Sequence, residues 1–250
     1  MKIIIDEIKK GIISYKRFYV GVFFVTFLYL VVIMNKMDNI KMSLLDIIFI
    51  NFRGMTFIQK KANYVYFNGY WIANNFALVY LISNYINEEL HKGWQKIIRL
   101  GKRNWWSIRY VVILTQIVCF YLVQVLACAI NFLINGVITK ESALQDISGH
   151  MPQYYIGALF AMILTAFSLM IIQISVSLLF NEKIAIAISF CLLVISAFVP
   201  EKSVFPGSLL MLERYESMRE IMYISSLIEG IVSVFLFVIT MIKVRKYDYY

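Results

Sequence analysis

The chain is 250 residues long, 61% apolar and only 16% charged, with a mean hydropathy of +0.74 and a formal net charge of +9. A soluble domain is about 45–50% apolar and about 25% charged, so this composition excludes a disordered chain, a disulfide-stapled secreted domain and most cytosolic enzymes. It predicts an all-α polytopic membrane protein, because one bilayer crossing takes about 20 residues and half of this chain supplies about six.

Residues 1–17 place Ile5, Ile8, Ile12 and Tyr15 at helical spacing, with Asp6, Lys9, Lys10 and Lys16 on other faces. That pattern predicts an amphipathic N-terminal helix lying in the membrane interface. The first predicted span, 18–34, is short, and Lys16 and Arg17 snorkel at its start. Loop 35–69 holds an apolar run at 47–52 that is too short to cross. It is expected on the outer surface or dipping into it. The second span, 70–86, carries Asn74 and Asn75.

The connection 87–109 reads NEELHKGWQKIIRLGKRNWWSIR. Trp94, Ile97, Ile98 and Leu100 form an apolar stripe among Glu88, Glu89, Lys92, Lys96 and Arg99, which predicts a short membrane-parallel helix at 88–100. Gly101 suits a left-handed helix end, and Trp105 and Trp106 mark re-entry into the membrane as interfacial aromatics do. A turn alone needs far fewer residues, as 181–183 illustrates, so this loop is expected to present something to a partner.

The third span, 110–134, carries Gln124 and Asn131, seven residues apart and therefore on one face. The fourth and fifth spans are 154–180 and 184–200. Pro200, Pro206 and Gly207 then break the helix, and 201–221 is expected as a broken, half-inserted outer segment packed against its own bundle. The sixth span, 222–242, holds Glu229.

The six spans total 124 residues with no Lys, Arg, Asp or His, and Glu229 is their one carboxylate. Residues 1–17, 87–109, 181–183 and 243–250 hold 15 Lys and Arg in 51 residues, against 9 in the 75 residues of the opposite loops. The positive-inside rule therefore puts both termini in the cytoplasm. The basic excess reads as topology and attraction to anionic lipid of the bilayer, not as nucleic-acid binding.

Cys119, Cys128 and Cys191 show no metal or redox spacing, and no phosphate-binding GxxxxGK[ST] loop or HExxH is present. His91 and His150 are predicted on opposite sides of the membrane. Glu88-Glu89 is followed by Gly93 where the prenyl-protein type of intramembrane protease carries arginine. No catalytic, metal or directly bound cofactor site is expected. Asn74, Asn75, Gln124, Asn131 and Glu229 are candidates for a substrate pathway or gate. Helix-to-helix hydrogen bonding is the competing reading.

The order of parts resembles the six-span permease subunits of type-2 ABC exporters, also called type V exporters. The resemblance rests on the lead-in 1–17, the basic tryptophan-containing loop from Glu88-Glu89 through Gly93-Trp94 and Arg99 to Trp105-Trp106, the very short 181–183 link, the broken segment before span six, and the tail Lys243-Val-Arg245-Lys246. It implies that 88–100 is a coupling helix, with Glu88, Glu89, Lys92, Trp94, Lys96 and Arg99 meeting a separate ABC ATPase subunit that holds ATP and Mg. It also implies a second permease copy, as homodimer or paralogue heterodimer, in a bacterial cell membrane. The expected cargo is an amphipathic substrate, a membrane-active peptide being favoured. The alternatives are a membrane-embedded immunity or assembly protein with no transport cycle, and a secondary transporter.

Overall fold

A computed structural model describes residues 2–36, 44–54, 69–92, 101–138, 152–199, 205, 207–212 and 222–246. The described residues form eight α-helices and one 3-10 turn, with no strand among them. The helices are α1 (Lys2–Ser14), α2 (Lys16–Lys36), α3 (Leu44–Phe52), α4 (Gly69–Lys92), α5 (Lys102–Ile138), α6 (Pro152–Leu179), α7 (Glu182–Phe198) and α8 (Met222–Lys246); the 3-10 turn is Ser208–Leu210.

Stretches within α2, α5 and α6 are each long and apolar enough to cross a membrane, and α8 carries a shorter apolar run, Leu227–Ile242. Their outward faces are apolar too. Val20, Phe24, Val25 and Leu28 on α2 and Leu227, Ile231, Val234 and Phe235 on α8 are all exposed. A soluble protein rarely exposes such continuous apolar surface, and the chain is therefore a membrane-embedded helical protein.

The 37 residues of α5 give a rod of ~55 Å, well beyond the ~30 Å of a bilayer core. It is the central post of the bundle, packed by α1, α2, α3, α4, α6 and α8. The second post is α6, which touches α4, α7, α8 and the 3-10 turn. Between them lie Ile113, Ile117, Phe120, Leu78, Val79, Ile82 and Ile174, all essentially buried. On α7 the buried face is Ala185, Ser189, Leu193, Ser196 and Ala197. These mostly small residues, about one turn apart, let neighbouring backbones approach. Asn181 separates α6 from α7: its Oδ1 accepts the Ile184 amide at 2.8 Å as an N-cap.

Three places differ from the sequence expectation. First, α1 is bolted onto α5 and is not merely interfacial. Ile4, Ile8, Ile12 and Tyr15 pack against the core, while Ile5 is 56% exposed. Gly11 allows the close approach, since a Cβ there would stand 2.9 Å from Val112 Cγ1.

Second, the apolar run at 47–52 forms a buried helix between α2 and α5, with Ile47, Ile48, Asn51 and Phe52 enclosed. Third, Glu88 to Lys92 continue α4 and do not open a separate helix; 93–100 lie outside the described residues. Within 201–221, Leu209, Leu210, Met211 and Leu212 are buried. Their backbone is satisfied by protein: Leu210 O accepts Trp71 Nε1 at 3.1 Å, and the Leu212 amide donates to Phe52 O at 2.9 Å. Irregular backbone at membrane depth requires such shielding.

Candidate functional site

Buried polar side chains gather at three levels of the bundle. The first is at the end that carries α1 and the α4–α5 connection. Arg109, on α5, has a side chain only 3% exposed. Its NH1 donates to Glu7 Oε2 on α1 at 2.7 Å and to Tyr85 OH on α4 at 2.9 Å. Glu89 Oε2, also on α4, stands 3.2 Å from the same nitrogen. One helical turn before it, the Trp105 ring centroid lies 5.5 Å from the guanidinium carbon, within cation–π range.

Tyr15, at the α1–α2 junction, joins the same end. It packs edge-on against Tyr85 and accepts from Asn84 Nδ2 at 3.5 Å. Burial, with Glu88 adding negative potential, pushes its phenol above the ordinary tyrosine range. This end is therefore a junction of α1, α2, α4 and α5.

The second level is towards the opposite end. Gln124 Oε1 accepts two amides, Asn74 Nδ2 at 2.8 Å and Asn51 Nδ2 at 3.2 Å. Asn51 Oδ1 accepts Tyr70 OH at 3.0 Å, and Tyr70 OH pairs with Thr26 Oγ1 at 2.9 Å. The Tyr70 ring stacks on Tyr29 with centroids 3.7 Å apart. Five polar side chains from α2, α3, α4 and α5 thus form one network in an apolar surround.

Of the residues singled out from sequence, Asn74 and Gln124 meet there. Asn75 does not: its amide returns to Trp71 O on its own helix at 2.9 Å. Asn131 also bonds its own helix, at Ala127 O (3.0 Å), and reaches Phe27 O on α2 at 3.5 Å.

The third level is between α6 and α8. Glu229 is 5% exposed. Its Oε2 accepts Thr165 Oγ1, while its Oε1 has no hydrogen-bond partner. Next to it, Ser233 Oγ donates to Glu229 O, and Ser168 Oγ approaches the same carbonyl at 3.4 Å. Among the described residues the neighbouring polar groups are hydroxyls, with no countercharge paired to the carboxyl.

The carboxylates Glu88 and Glu89, read from sequence as one pair, part company. Glu88 is exposed and Glu89 turns inward to Arg109. The side chain of Lys92 and all of Trp94, Lys96 and Arg99 lie outside the described residues. Arg109, Glu7 and Tyr85 were not singled out from sequence. The available signal was Trp105 four residues before Arg109, which places ring and guanidinium on one helix face. Their charges otherwise read as topology.

An open groove of about 400 Å³ runs between α4 and α7, lined by Ile72, Ala73, Phe76, Ile186, Ala187 and Phe190 among others. Among the described residues no cluster of three His, Cys, Asp or Glu side chains is placed to hold a metal. Compared with models of protein families, with curated proteins and with solved structures, the chain matches none of them.

Proposed function

We propose that the chain is the permease subunit of an ATP-driven exporter, with α2, α4, α5, α6, α7 and α8 as its six spans and the α1 end in the cytoplasm. The observation that carries this reading is the α4–α5 hairpin. Both helices continue beyond their apolar spans at the α1 end, α4 to Lys92 and α5 from Lys102. The eight residues of α5 before Tyr110 add ~12 Å of rigid helix. Two buried carboxylate contacts on Arg109 hold that extension to the bundle. A loop carried on two rigid, anchored helices can transmit a push; a loop on frayed ends cannot. The lysine and arginine excess in 1–17 and 87–109 supports the cytoplasmic side for this end by the positive-inside rule.

In this reading 93–100, with Glu88 exposed beside it, docks on a separate ABC ATPase that binds ATP and Mg. A second permease copy, identical or paralogous, completes the pathway. ATPase closure shifts the permease only through contacts that differ between two states. The substrate class is amphipathic, with a membrane-active peptide favoured, because the chain offers apolar surface interrupted by amides and hydroxyls and no large soluble domain.

The test is co-purification of an ABC ATPase with the full chain, followed by reconstitution of the pair. Glu88→Lys and Trp94→Ala are expected to lower substrate-stimulated ATPase activity and transport together while the bundle stays folded. Wild-type coupling in both variants overturns the reading. Glu89 is unsuitable for that experiment, because its replacement also disturbs Arg109.

A further inference from the structure

Arg109 has more carboxylate than its charge requires. A guanidinium stays protonated, and burying it unpaired is strongly unfavourable, so one carboxylate is needed. The second brings two carboxylates to one nitrogen.

The geometry is also unusual for two permanent ion pairs. A pinned arginine–carboxylate pair is commonly bidentate, with two nitrogens on two oxygens. Here Glu7 Oε2 (2.7 Å), Tyr85 OH (2.9 Å) and Glu89 Oε2 (3.2 Å) all converge on the single nitrogen NH1. Nε and NH2 make no hydrogen bond among the described residues. The two carboxylates come from different segments, one from the lead-in α1 and one from the last turns of α4. The arginine itself is fixed on α5, with Trp105 against it on the same helix.

We propose that Arg109 is a positioning residue acting as a two-way latch: α1 through Glu7 and the end of α4 through Glu89 share one guanidinium nitrogen, so either can leave while the other keeps the buried charge paired. Moving one element then costs a shared contact and does not strand a charge. The α4–α5 hairpin can shift with α1 still docked, or α1 can lift with the hairpin still docked. Losing both is the forbidden state. This inference concerns segments of one chain and does not rest on the exporter reading.

The experiment uses the full chain in nanodiscs, on a Cys191→Ser background, since Cys191 is exposed. Spin labels on Lys9→Cys and Asn104→Cys report α1 against α5; labels on Glu88→Cys and Asn104→Cys report the α4 end against α5. All three labelled positions are exposed. Glu7→Gln is expected to broaden only the α1 distance, and Glu89→Gln only the α4 distance, each lowering Tm by ~2 °C. The double variant is expected to lose ~10 °C, far beyond the sum, because the guanidinium is then stranded. Adding Arg109→Met to the double variant is expected to restore most of that loss.

A single variant that broadens both distances overturns the latch. So does a double variant whose loss equals the sum of the singles, or a triple variant that recovers nothing. If the double variant does not fold while both singles and the triple do, the non-additivity is met in its strongest form.

Discussion

Arg109 and Glu229 are both ionisable, nearly solvent-free and held by helix-borne side chains, yet their surroundings are opposite in kind. Arg109 meets two formal countercharges from two other helices, plus a phenol and an indole ring. The Glu229 carboxyl meets one hydroxyl, that of Thr165 on α6, and among the described residues its other oxygen has no hydrogen-bond partner. A charge enclosed by countercharges from separate helices ties those helices together. A carboxyl met by one neutral donor ties little together and keeps capacity for something else. The comparison teaches that burial of an ionisable group in a membrane bundle does not by itself mark function; the kind and origin of its partners does.

The largest effect is expected from removing the first centre. Arg109→Ala removes the cation that Glu7 and Glu89 share and should lower stability by ~3–5 kcal/mol. Thermal melting in nanodiscs checks this, and a loss below about 1 kcal/mol would make the cluster solvated in practice. Next is Gly54, which has φ +82 and whose added Cβ would stand 2.5 Å from Met211 Cγ. Gly54→Ala should cost ~1–3 kcal/mol from strained backbone and contact. Combining it with Met211→Gly removes the side chain that the added Cβ would meet but none of the backbone part, so a full recovery would mean that the φ was not the constraint.

A smaller effect follows at the amide network. Gln124→Leu removes the acceptor of both Asn51 and Asn74, and interhelical polar contacts in membranes average only ~0.6 kcal/mol with a maximum near 1.7. A loss of about 1 kcal/mol is expected, and one above 3 would give the network a structural weight its hydrogen bonds do not explain. The smallest stability effect belongs to the second centre. Glu229→Gln keeps an oxygen for Thr165 and the same shape, so about 1 kcal/mol or less is expected. Transport decides its role: a carboxyl kept for function loses activity at unchanged stability, while full activity with normal expression makes it structural.

Much of the architecture was readable without coordinates, because the bilayer forces a simple pattern. Long charge-free runs flanked by Lys, Arg and Trp favour helices in lipid; the six stretches read as spans fall within or nearly within helices, of which three are long and apolar enough to cross a membrane. The helix ends were less readable: α5 begins eight residues before the predicted span because Trp105, Trp106, Ile108 and Arg109 are buried against neighbouring helices. Hydropathy registers transfer to lipid and not burial against protein. The run at 47–52 illustrates the same limit, since its length forbids crossing but says nothing of the slot between α2 and α5 that receives it.

Asn74 and Gln124 were legible as polar residues in spans. Their shared contact with Asn51, whose helix was expected as an outer loop, was not. Ile5 shows how weak a period of 3.6 is over four turns: a shift of one residue makes Ile4 the packed position and turns Ile5 outward.

By itself the sequence determined that this chain is helical and membrane-embedded, and that its cations crowd towards one set of connections, because transfer of charge into hydrocarbon is too unfavourable to be hidden by context. Only the tertiary structure decided which charges do something beyond topology. Glu88 and Glu89 are identical neighbours in sequence, and Glu7, Glu89 and Arg109 are separated by up to 102 positions. The helix turn sends Glu88 outward and Glu89 inward, and the packing of α1 on α5 brings Glu7 to the same nitrogen. Pairing across three helices is a property of their arrangement in space, which no local pattern encodes.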